Sequence, residues 1–340
     1  MRRLAFLILT LTGFVLAGCV AHVEIHDAVM GTTMKVVAVS RSMSKDELNK
    51  AVLEAIEAAK KADRLLSLWK PDSEISRLNR AKPMEWVALS PETYEVLVQA
   101  LEVSKQTDGA FDITVGPLVE LWGFGPKSAT VPTELPSDEA VAAAKAFVGR
   151  EHIVVDANSK RAYRDAEGVE IDLGGIAQGY AADQVLKVLE AKGIRDALVE
   201  VGGETVAIGL TETREPWLVG VRHPNVMTKL LTTVELKDAA LATSGDYFNV
   251  YELGGRLYSH IIDPATGRPI ANNVCSVTVI AKNCAYADAL ATGLMVLGPE
   301  KGLKLVESLE GVEAIFAWRT GKDAIEVKAS TGARQYRLAP

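Results

Sequence analysis

The sequence contains few cysteines, few aromatic residues and no cluster of basic residues. Three cysteines in 340 residues exclude a small disulfide-stabilised domain, and 48% hydrophobic with 24% charged residues excludes a disordered chain, a coiled coil or a collagen-like repeat. Lys and Arg number 37 against 44 Asp and Glu, which gives a net charge of -7. Because a surface that follows a nucleic-acid backbone needs clustered cations, we expect no nucleic-acid partner. Small anionic ligands need only a local site.

Hydrophobic runs long enough to span a membrane are also absent, and the longest uncharged apolar stretch at the N-terminus covers only residues 4–17. Arg2 and Arg3 precede it, and Leu16-Ala17-Gly18-Cys19, which resembles a bacterial lipobox, ends it. We therefore predict that residues 1–18 are a lipoprotein signal peptide and that Cys19 is the lipidation site, carrying acyl chains such as palmitate. The alternative is a plain secretory signal with an incidental cysteine.

This N-terminus predicts a bacterial membrane lipoprotein that faces the periplasm. The inner membrane is the first choice, although Val20 is not the acidic residue often linked to inner-membrane retention. Two further cysteines, Cys275 and Cys284, lie in the chain besides the predicted lipidation site Cys19. They could pair in an oxidising compartment, but buried free thiols are the expected state, and two isolated cysteines make no metal site.

The order of predicted elements is typical of an α+β protein. A helix is predicted over 44–69, where Ser44 and Glu47 form a capping box. The glycine- and proline-rich stretch 116–136 is predicted to be a loop. From residue 152 onward short strands, including 169–172, follow one another, with helices inserted. This pattern predicts largely antiparallel sheets with inserted helices rather than a regular βαβ alternation.

Two strand ends are predicted to run into paired glycines. At the first, Asp172 precedes Gly174 and Gly175, and a helix begins directly afterwards. The free amides and positive dipole end of such a helix attract phosphate, and glycine allows close approach of a ligand. The second pair is followed by Glu204. Taken alone, the first pair is more often a strand-to-helix turn without a ligand, and for the second pair a bulge or tight turn is likewise the preferred interpretation.

A helix rich in small residues carries Asp288 and Thr292, four positions apart and therefore on one face. A carboxylate and a hydroxyl are hard oxygen ligands that suit Mg²⁺, which completes its shell with phosphate and water. The alternative is a surface Asp and a Thr bonded to a helix carbonyl.

His260 stands near a strand end, before the turn dipeptide Asp263-Pro264. It is a candidate general base because imidazole titrates near neutral pH, although a structural histidine is the competing interpretation. Together, the glycine turn, the oxygen ligands and the histidine predict Mg²⁺-assisted chemistry on a phosphate or diphosphate.

These segments resemble the bacterial FAD:protein FMN transferase family, the ApbE flavin transferases, and the matches span nearly the whole chain after the signal peptide. Besides the glycine turns, the His260 segment and the Asp288 helix, the matching motifs are Met30-Gly31-Thr32, the stretch 71–79 (PDSEISRLN), the stretch 109–118 (GAFDITVGPL), the stretch 121–125 (LWGFG) and the stretch 243–247 (TSGDY).

The resemblance implies two intertwined α/β subdomains with the ligand cleft between them, so that residues 19–340 form a single flavin transferase domain. It also implies FAD as donor and Mg²⁺ as metal. An acceptor protein's Thr or Ser hydroxyl attacks the FMN-side phosphorus, AMP leaves, and FMN stays attached through a phosphoester. Acceptors in the family include flavin-carrying subunits of membrane redox complexes. Oligomeric state is left open.

Residue by residue, the resemblance implies one catalytic residue, His260, and three metal ligands: the Gly175 carbonyl, Asp288 and Thr292. The residues implied to contact FAD are Met30, Trp69, Ala110, Phe111, Asp112, Asp172, Gln178 and Ile262. Gln178 stands where many members carry Lys, and Trp69 where Tyr is also seen. We expect these departures to alter affinity more than activity. Two alternatives stay open: an FAD pyrophosphatase that yields FMN and AMP, and a non-catalytic flavin-binding lipoprotein.

Overall fold

A computed structural model describes residues 20–336 except 129, 131, 227, 248, 322 and 323. The predicted signal peptide and the lipidation site Cys19 therefore lie outside the described residues. None of the helices in the described part of the chain combines the length and apolar character needed to cross a membrane.

Most of the strands lie in the second half of the chain. They are β1 (Ala21–Val29), β2 (Thr32–Ser40), β3 (Val87–Ala88), β4 (Ile153–Asp156), β5 (Arg161–Arg164), β6 (Asp196–Val201), β7 (Glu204–Ile208), β8 (Trp217–Arg222), β9 (Leu230–Leu236), β10 (Ala239–Gly245), β11 (Val250–Leu253), β12 (Arg256–Ser259), β13 (Ile262–Asp263), β14 (Arg268–Pro269), β15 (Val274–Ala281), β16 (Glu313–Arg319) and β17 (Ile325–Ala329). The largest sheet has the order β1-β2-β6-β7-β10-β15-β16-β17, and each neighbouring pair in it is antiparallel. The predicted α+β class with largely antiparallel sheets is confirmed.

The helices are inserted between these strands. They are α1 (Lys45–Leu66), α2 (Glu74–Arg80), α3 (Pro91–Gln106), α4 (Gly116–Leu121), α5 (Asp138–Lys145), α6 (Ala177–Ala191) and α7 (Cys284–Val306), with 3₁₀ turns at Arg150–His152 and Thr331–Tyr336. The predicted capping box at Ser44 and Glu47 is present at the start of α1. Helix α7 kinks at Gly298, whose φ of 76° is non-helical.

The large sheet has an apolar core on each face, because side chains alternate along its strands. Val36 and Ala38 of β2 join the core that contains α1 and α6, whereas Val37 and Val39 join a core with residues of β8 and β9. Helix α7 packs with β15 and β16 in a further core. A fourth cluster lies apart from these and combines α4, α5 and the β11–β12 hairpin; its buried members are Leu118, Trp122, Val141, Tyr251, Tyr258 and Ile262.

Two local predictions are wrong. Residues 116–121 form α4 rather than a loop: Pro117 occupies the first turn, where its missing N–H costs nothing, and Leu118 is fully buried in the fourth cluster. The stretch 169–172 forms no strand, since its only ladder contact is a parallel bridge between Glu170 and Val115. The amide of Asp172 nonetheless donates to the carbonyl of Ile113 at 2.7 Å, which fixes the segment in place.

Cys275 and Cys284 are both buried and free, as expected. The Cys275 thiol donates to the carbonyl of Ala317 at 3.1 Å, and burial raises its pKa to about 11. Neither thiol is therefore a reactive group near neutral pH.

Candidate active site

The first glycine turn lies directly before α6. Oδ1 of Asp172 accepts a hydrogen bond from the amide of Gly174 at 2.7 Å, and burial raises the pKa of this half-buried carboxyl. Gly175 faces a second element, because a Cβ added to it would lie 3.2 Å from Oγ1 of Thr292 and 3.3 Å from Cε2 of Phe111. The chain thus brings the turn, α7 and the 109–118 motif together at one place.

Asp288 belongs to α7, and its side chain lies at the N-terminus of α6. Its Oδ2 accepts a hydrogen bond from the amide of Gly179 at 3.1 Å, so α6 directs its positive end at a carboxylate of α7. The side chain is only 6% exposed, and burial raises its pKa to about 7, with a further contribution from Asp183. The predicted alternative of an Asp on the helix surface is therefore wrong.

Glu204 is a second buried carboxyl at this site. The amide of Thr243 donates to its Oε2 at 3.3 Å, and burial together with the charge of Asp288 holds its pKa well above the usual range. The side chains whose charges act on Glu204 and Asp288 are themselves acidic. A buried acidic pair of this kind is expensive without a compensating cation.

Thr292 and Ser244 add two hydroxyl oxygens to the site. Oγ1 of Thr292 lies 3.1 Å from Oγ of Ser244 on β10. Because Asp288 reaches Gly179 while Thr292 reaches Gly175, the shared face of α7 covers the first turn of α6 and the glycine turn before it. The three predicted metal ligands are thus brought to one region. No cluster of three His, Cys, Asp or Glu side chains suited to a metal occurs in the described residues, and the predicted set has only one such side chain.

Phe111 and Asp112 of the Ala110-Phe111-Asp112 segment are both buried, but they contact different partners. Asp112 is buried and accepts hydrogen bonds from the amide and hydroxyl of Thr114 at 2.8 and 2.6 Å, and its pKa is raised by burial. It therefore stabilises its own turn, while Phe111 reaches Gly175. The Thr107 hydroxyl fixes the backbone of Phe111, because it accepts a hydrogen bond from the Phe111 amide at 3.0 Å.

Gln178 lies against two turns of the large sheet. A Cβ on Gly202, which has a φ of 67°, would lie 2.4 Å from Oε1 of Gln178 and 3.1 Å from Cγ2 of Thr32. Met30 adopts a φ of 51° in the turn that joins β1 to β2. The Met30 turn, the second glycine pair and the start of α6 are therefore neighbours.

Three predicted residues lie in other surroundings. Trp69 is 71% exposed in the connection between α1 and α2. The amide of His260 donates to the carbonyl of Asn249 at 3.1 Å, and its ring lies edge-on to Phe124 with centroids 6.3 Å apart. Ile262 is buried in the fourth cluster.

Sequence reasoning missed Glu204 and Ser244 as members of the site. The Gly202-Gly203 pair is indeed a turn, with positive φ at both residues, but the carboxyl that follows it faces Asp288. In the sequence, the only indication was a carboxylate directly after a glycine pair. Glu204 reaches the site because β7 pairs with β10, and no local sequence pattern predicts that pairing.

Comparison with known proteins bears directly on this arrangement. A family model described as the ApbE family matches residues 30–316. A Vibrio cholerae protein named FAD:protein FMN transferase is 40% identical over 298 residues, covering 86% of this chain and 87% of the relative. An Escherichia coli (strain K12) protein of the same name is 40% identical over 262 residues, covering 76% and 74%.

Solved structures show the same likeness. The flavin transferase ApbE from Vibrio cholerae matches with a TM-score of 0.82 and 36% identity, covering 93% of this chain and 99% of that one. The ApbE protein of Thermotoga maritima matches with a TM-score of 0.81 and 33% identity, covering 93% and 99%. The fold is that of an α+β transferase. The chain belongs to the ApbE family, as the motifs indicated.

Proposed function

We propose that the protein transfers the FMN moiety of FAD to a Thr or Ser hydroxyl of an acceptor protein, in a Mg²⁺-dependent reaction that forms a phosphoester and releases AMP. The supporting observation is the meeting of Gly175, Asp288 and Thr292 in a chain whose relatives are named FAD:protein FMN transferase. An acceptor among the flavin-carrying subunits of membrane redox complexes is part of the proposal.

The donor set fits a divalent ion. The Asp288 carboxylate, the Thr292 hydroxyl and the Gly175 carbonyl are hard oxygen ligands, and the buried acidic pair of Asp288 and Glu204 favours a compensating cation. A bound Mg²⁺ would neutralise negative charge on the diphosphate oxygens. Because Gln178 stands where many family members carry Lys, neutralisation of the diphosphate by a metal ion is more important in this chain.

The remaining residues have separate proposed tasks. Met30, Trp69, Ala110, Phe111, Asp112, Asp172, Gln178 and Ile262 contact FAD. His260 accepts the proton of the acceptor hydroxyl. The oxygen of the acceptor hydroxyl then bonds to the FMN-side phosphorus. The bond from that phosphorus to the bridging oxygen breaks, and AMP departs with the electron pair.

The test combines the purified protein with FAD, Mg²⁺ and an apo flavin-accepting subunit of a membrane redox complex. We expect the intact mass of the acceptor to rise by one FMN phosphoryl unit and AMP to appear in equal amount. AMP without a modified acceptor would identify an FAD pyrophosphatase. FAD binding without AMP, unaffected by chelation of Mg²⁺, would identify a non-catalytic flavin-binding protein.

We also propose that residues 1–18 are removed and that acylated Cys19 anchors residues 19–340, one flavin transferase domain of two intertwined subdomains, to a periplasm-facing membrane. Cys19→Ala is expected to move the protein from the membrane to the soluble fraction and to abolish palmitate labelling. Retention of both in the variant would contradict the anchor.

A further inference from the structure

The segment that leads to the first glycine turn, residues 169–172, lacks the partner strands that would normally satisfy its backbone. Its one ladder contact in the described part of the chain is the bridge between Glu170 and Val115, and none of its residues is exposed. Buried amides and carbonyls require hydrogen-bond partners, so the remaining ones must be satisfied in another way. Two side chains from outside the segment, Asn79 and Arg164, supply such partners.

Asn79 binds Ile171 as a neighbouring strand would. It lies near the end of α2; its Oδ1 accepts a hydrogen bond from the amide of Ile171 at 2.9 Å, and its Nδ2 donates to the carbonyl of Ile171 at 2.9 Å. A side-chain amide has both a donor and an acceptor, so it can satisfy both backbone groups of one residue. The amide of the next residue, Asp172, donates to the carbonyl of Ile113 at 2.7 Å. The chain at 171–172 is therefore held between α2 and the 109–118 motif.

Arg164 makes a second set of contacts to the same two elements. The residue is 3% exposed, and its guanidinium donates to the carbonyls of Leu78 and Ala81 at 3.0 and 2.7 Å, at the C-terminal end of α2. It also donates to the carbonyl of Val169. The last carbonyls of a helix have no partner within the helix, and the five N–H donors of a guanidinium can satisfy several of them. Arg164 thus connects the end of α2 to the start of the segment.

The position of this segment determines the position of two groups proposed to bind FAD and the metal. Asp172 follows Ile171 directly, and its Oδ1 accepts a hydrogen bond from the amide of Gly174 at 2.7 Å. Gly175 comes next and faces α7, because a Cβ added to it would lie 3.2 Å from Oγ1 of Thr292. A displacement of Ile171 would therefore move both the Asp172 carboxyl and the Gly175 carbonyl. Binding and catalysis are sensitive to small displacements of such groups.

We infer that Asn79 is a positioning residue for the flavin site: its two hydrogen bonds to Ile171 place the Asp172 carboxyl and the Gly175 carbonyl for FAD and its divalent ion. Arg164 supports this by fixing the end of α2 from which Asn79 extends. The inference rests on the proposed function and adds to it a residue that acts through the backbone of Ile171.

The test removes both hydrogen bonds with Asn79→Leu, whose side chain has a similar branched shape. Hydrogen exchange of residues 171–175 in the metal-free protein reports on the segment, a flavin fluorescence titration gives the Kd of FAD, and AMP release gives the half-saturating Mg²⁺ concentration. We expect exchange to become about tenfold faster, and the FAD Kd and half-saturating Mg²⁺ concentration to rise about tenfold. Turnover at saturating FAD and Mg²⁺ should fall less than about threefold, because the loss is in binding.

Ser330→Ala is the matched control for a lost contact between a buried side chain and the backbone. Ser330 is also 3% exposed, and its Oγ accepts a hydrogen bond from the amide of Ala314 at 2.9 Å, at the β17 edge of the large sheet. Its unfolding temperature should fall while the FAD Kd and the half-saturating Mg²⁺ concentration stay unchanged. Arg164→Lys, which keeps the charge but has fewer donors, should show the pattern of Asn79→Leu at smaller amplitude, and it replaces that variant if Asn79→Leu does not fold.

Two results would overturn the inference. Faster exchange with an unchanged FAD Kd and Mg²⁺ requirement would mean that Asn79 only stabilises the fold. Unchanged exchange would mean that other contacts hold the segment. Exchange and FAD binding need no catalysis, so a wild-type protein that binds FAD but transfers no FMN would contradict the proposed function alone, whereas a wild-type protein that binds no FAD would contradict both.

Discussion

The carboxylate of Asp288 on α7 accepts a hydrogen bond from the amide of Gly179 in the first turn of α6, across 109 positions of sequence, at 3.1 Å. The positive end of α6 favours the ionised carboxylate, whereas burial favours the protonated form and raises the pKa to about 7. The site therefore contains a carboxyl whose ionised form is opposed by burial and favoured by the helix dipole. A divalent cation would shift that balance fully to the ionised form.

Asp288→Asn tests the role of this charge. The amide oxygen can still accept from Gly179, so we expect the variant to fold with an unfolding temperature at least equal to that of the wild type. Mg²⁺-dependent FMN transfer should fall by about 10² to 10³, because the only charged ligand is lost. Initial rates of AMP release and acceptor modification measure this. A variant that keeps more than a tenth of wild-type turnover would place the metal elsewhere.

Glu204→Gln tests the acidic pair. Raising the pH forces both carboxyls to ionise in the metal-free protein, which opposes folding because burial and mutual repulsion raise their pKa values. We expect the variant to exceed the wild type in unfolding free energy by about 1–2 kcal/mol at pH 9, and to be equal to it at pH 5.

Glu200→Gln is the matched control, since Glu200 acts on Glu204 only as a more distant, half-exposed charge. Its unfolding free energy should stay close to that of the wild type at both pH values. The half-saturating Mg²⁺ concentration should rise in Glu204→Gln. Equal stability of Glu204→Gln and the wild type at pH 9 would show that the pair carries no repulsion.

Gly175→Ala tests the close approach of the glycine turn to α7. The added methyl would lie 3.2 Å from Oγ1 of Thr292, so either the hydroxyl or the turn must shift by a few tenths of an ångström. We expect transfer to fall about tenfold with little loss of stability, because positioning of catalytic groups is sensitive to such shifts. Gly321→Ala is the control, since its nearest neighbour would be the Ala324 Cβ at 3.7 Å. Equal rates for both variants would contradict a role for this contact.

The sequence was most informative where the relevant geometry is local. Asp288 and Thr292 share a helix face because four residues make about one turn, and the glycines before α6 indicate a turn by composition alone. The approach of Gly175 to Thr292 and of Glu204 to Asp288 depends on packing α6 on α7 and pairing β7 with β10. No periodicity encodes those long-range contacts.

The error at residues 116–121 has a related cause. Gly116 and Pro117 are helix breakers in most positions, yet proline is well placed in the first turn. The burial of Leu118 and Trp122 against the β11–β12 hairpin then stabilises the short helix. Tertiary packing outweighed the local composition, and that hairpin lies more than a hundred residues further along the chain.

His260→Ala tests the proposed base. Its backbone is fixed by the Asn249 carbonyl, so removal of the ring should leave the segment in place. We expect transfer to fall by about 10² to 10⁴ while FAD binding, followed by flavin fluorescence, is unchanged. Loss of FAD binding in the variant would assign His260 to the cofactor pocket, and unchanged transfer would remove it from the mechanism.

Asp183→Asn tests the link between α6 and α7 through the pH dependence of stability. The two oxygens of Asp183 accept the amides of Cys284 and Ala285 at 2.8 and 2.9 Å, which caps α7, while burial raises the carboxyl pKa to about 6. Because this value lies above that of the unfolded chain, the native state binds more protons between about pH 4 and 6, and stability falls as the pH rises through this range.

The variant cannot titrate at this position, so the unfolding free energy of the wild type minus that of Asp183→Asn should decrease by at most about 3 kcal/mol from pH 4 to pH 7, and then level off. Urea unfolding at fixed ionic strength over this range measures the difference. A difference that is constant or rises with pH would mean that the capping hydrogen bonds outweigh burial, and that the α6–α7 junction prefers the ionised carboxylate.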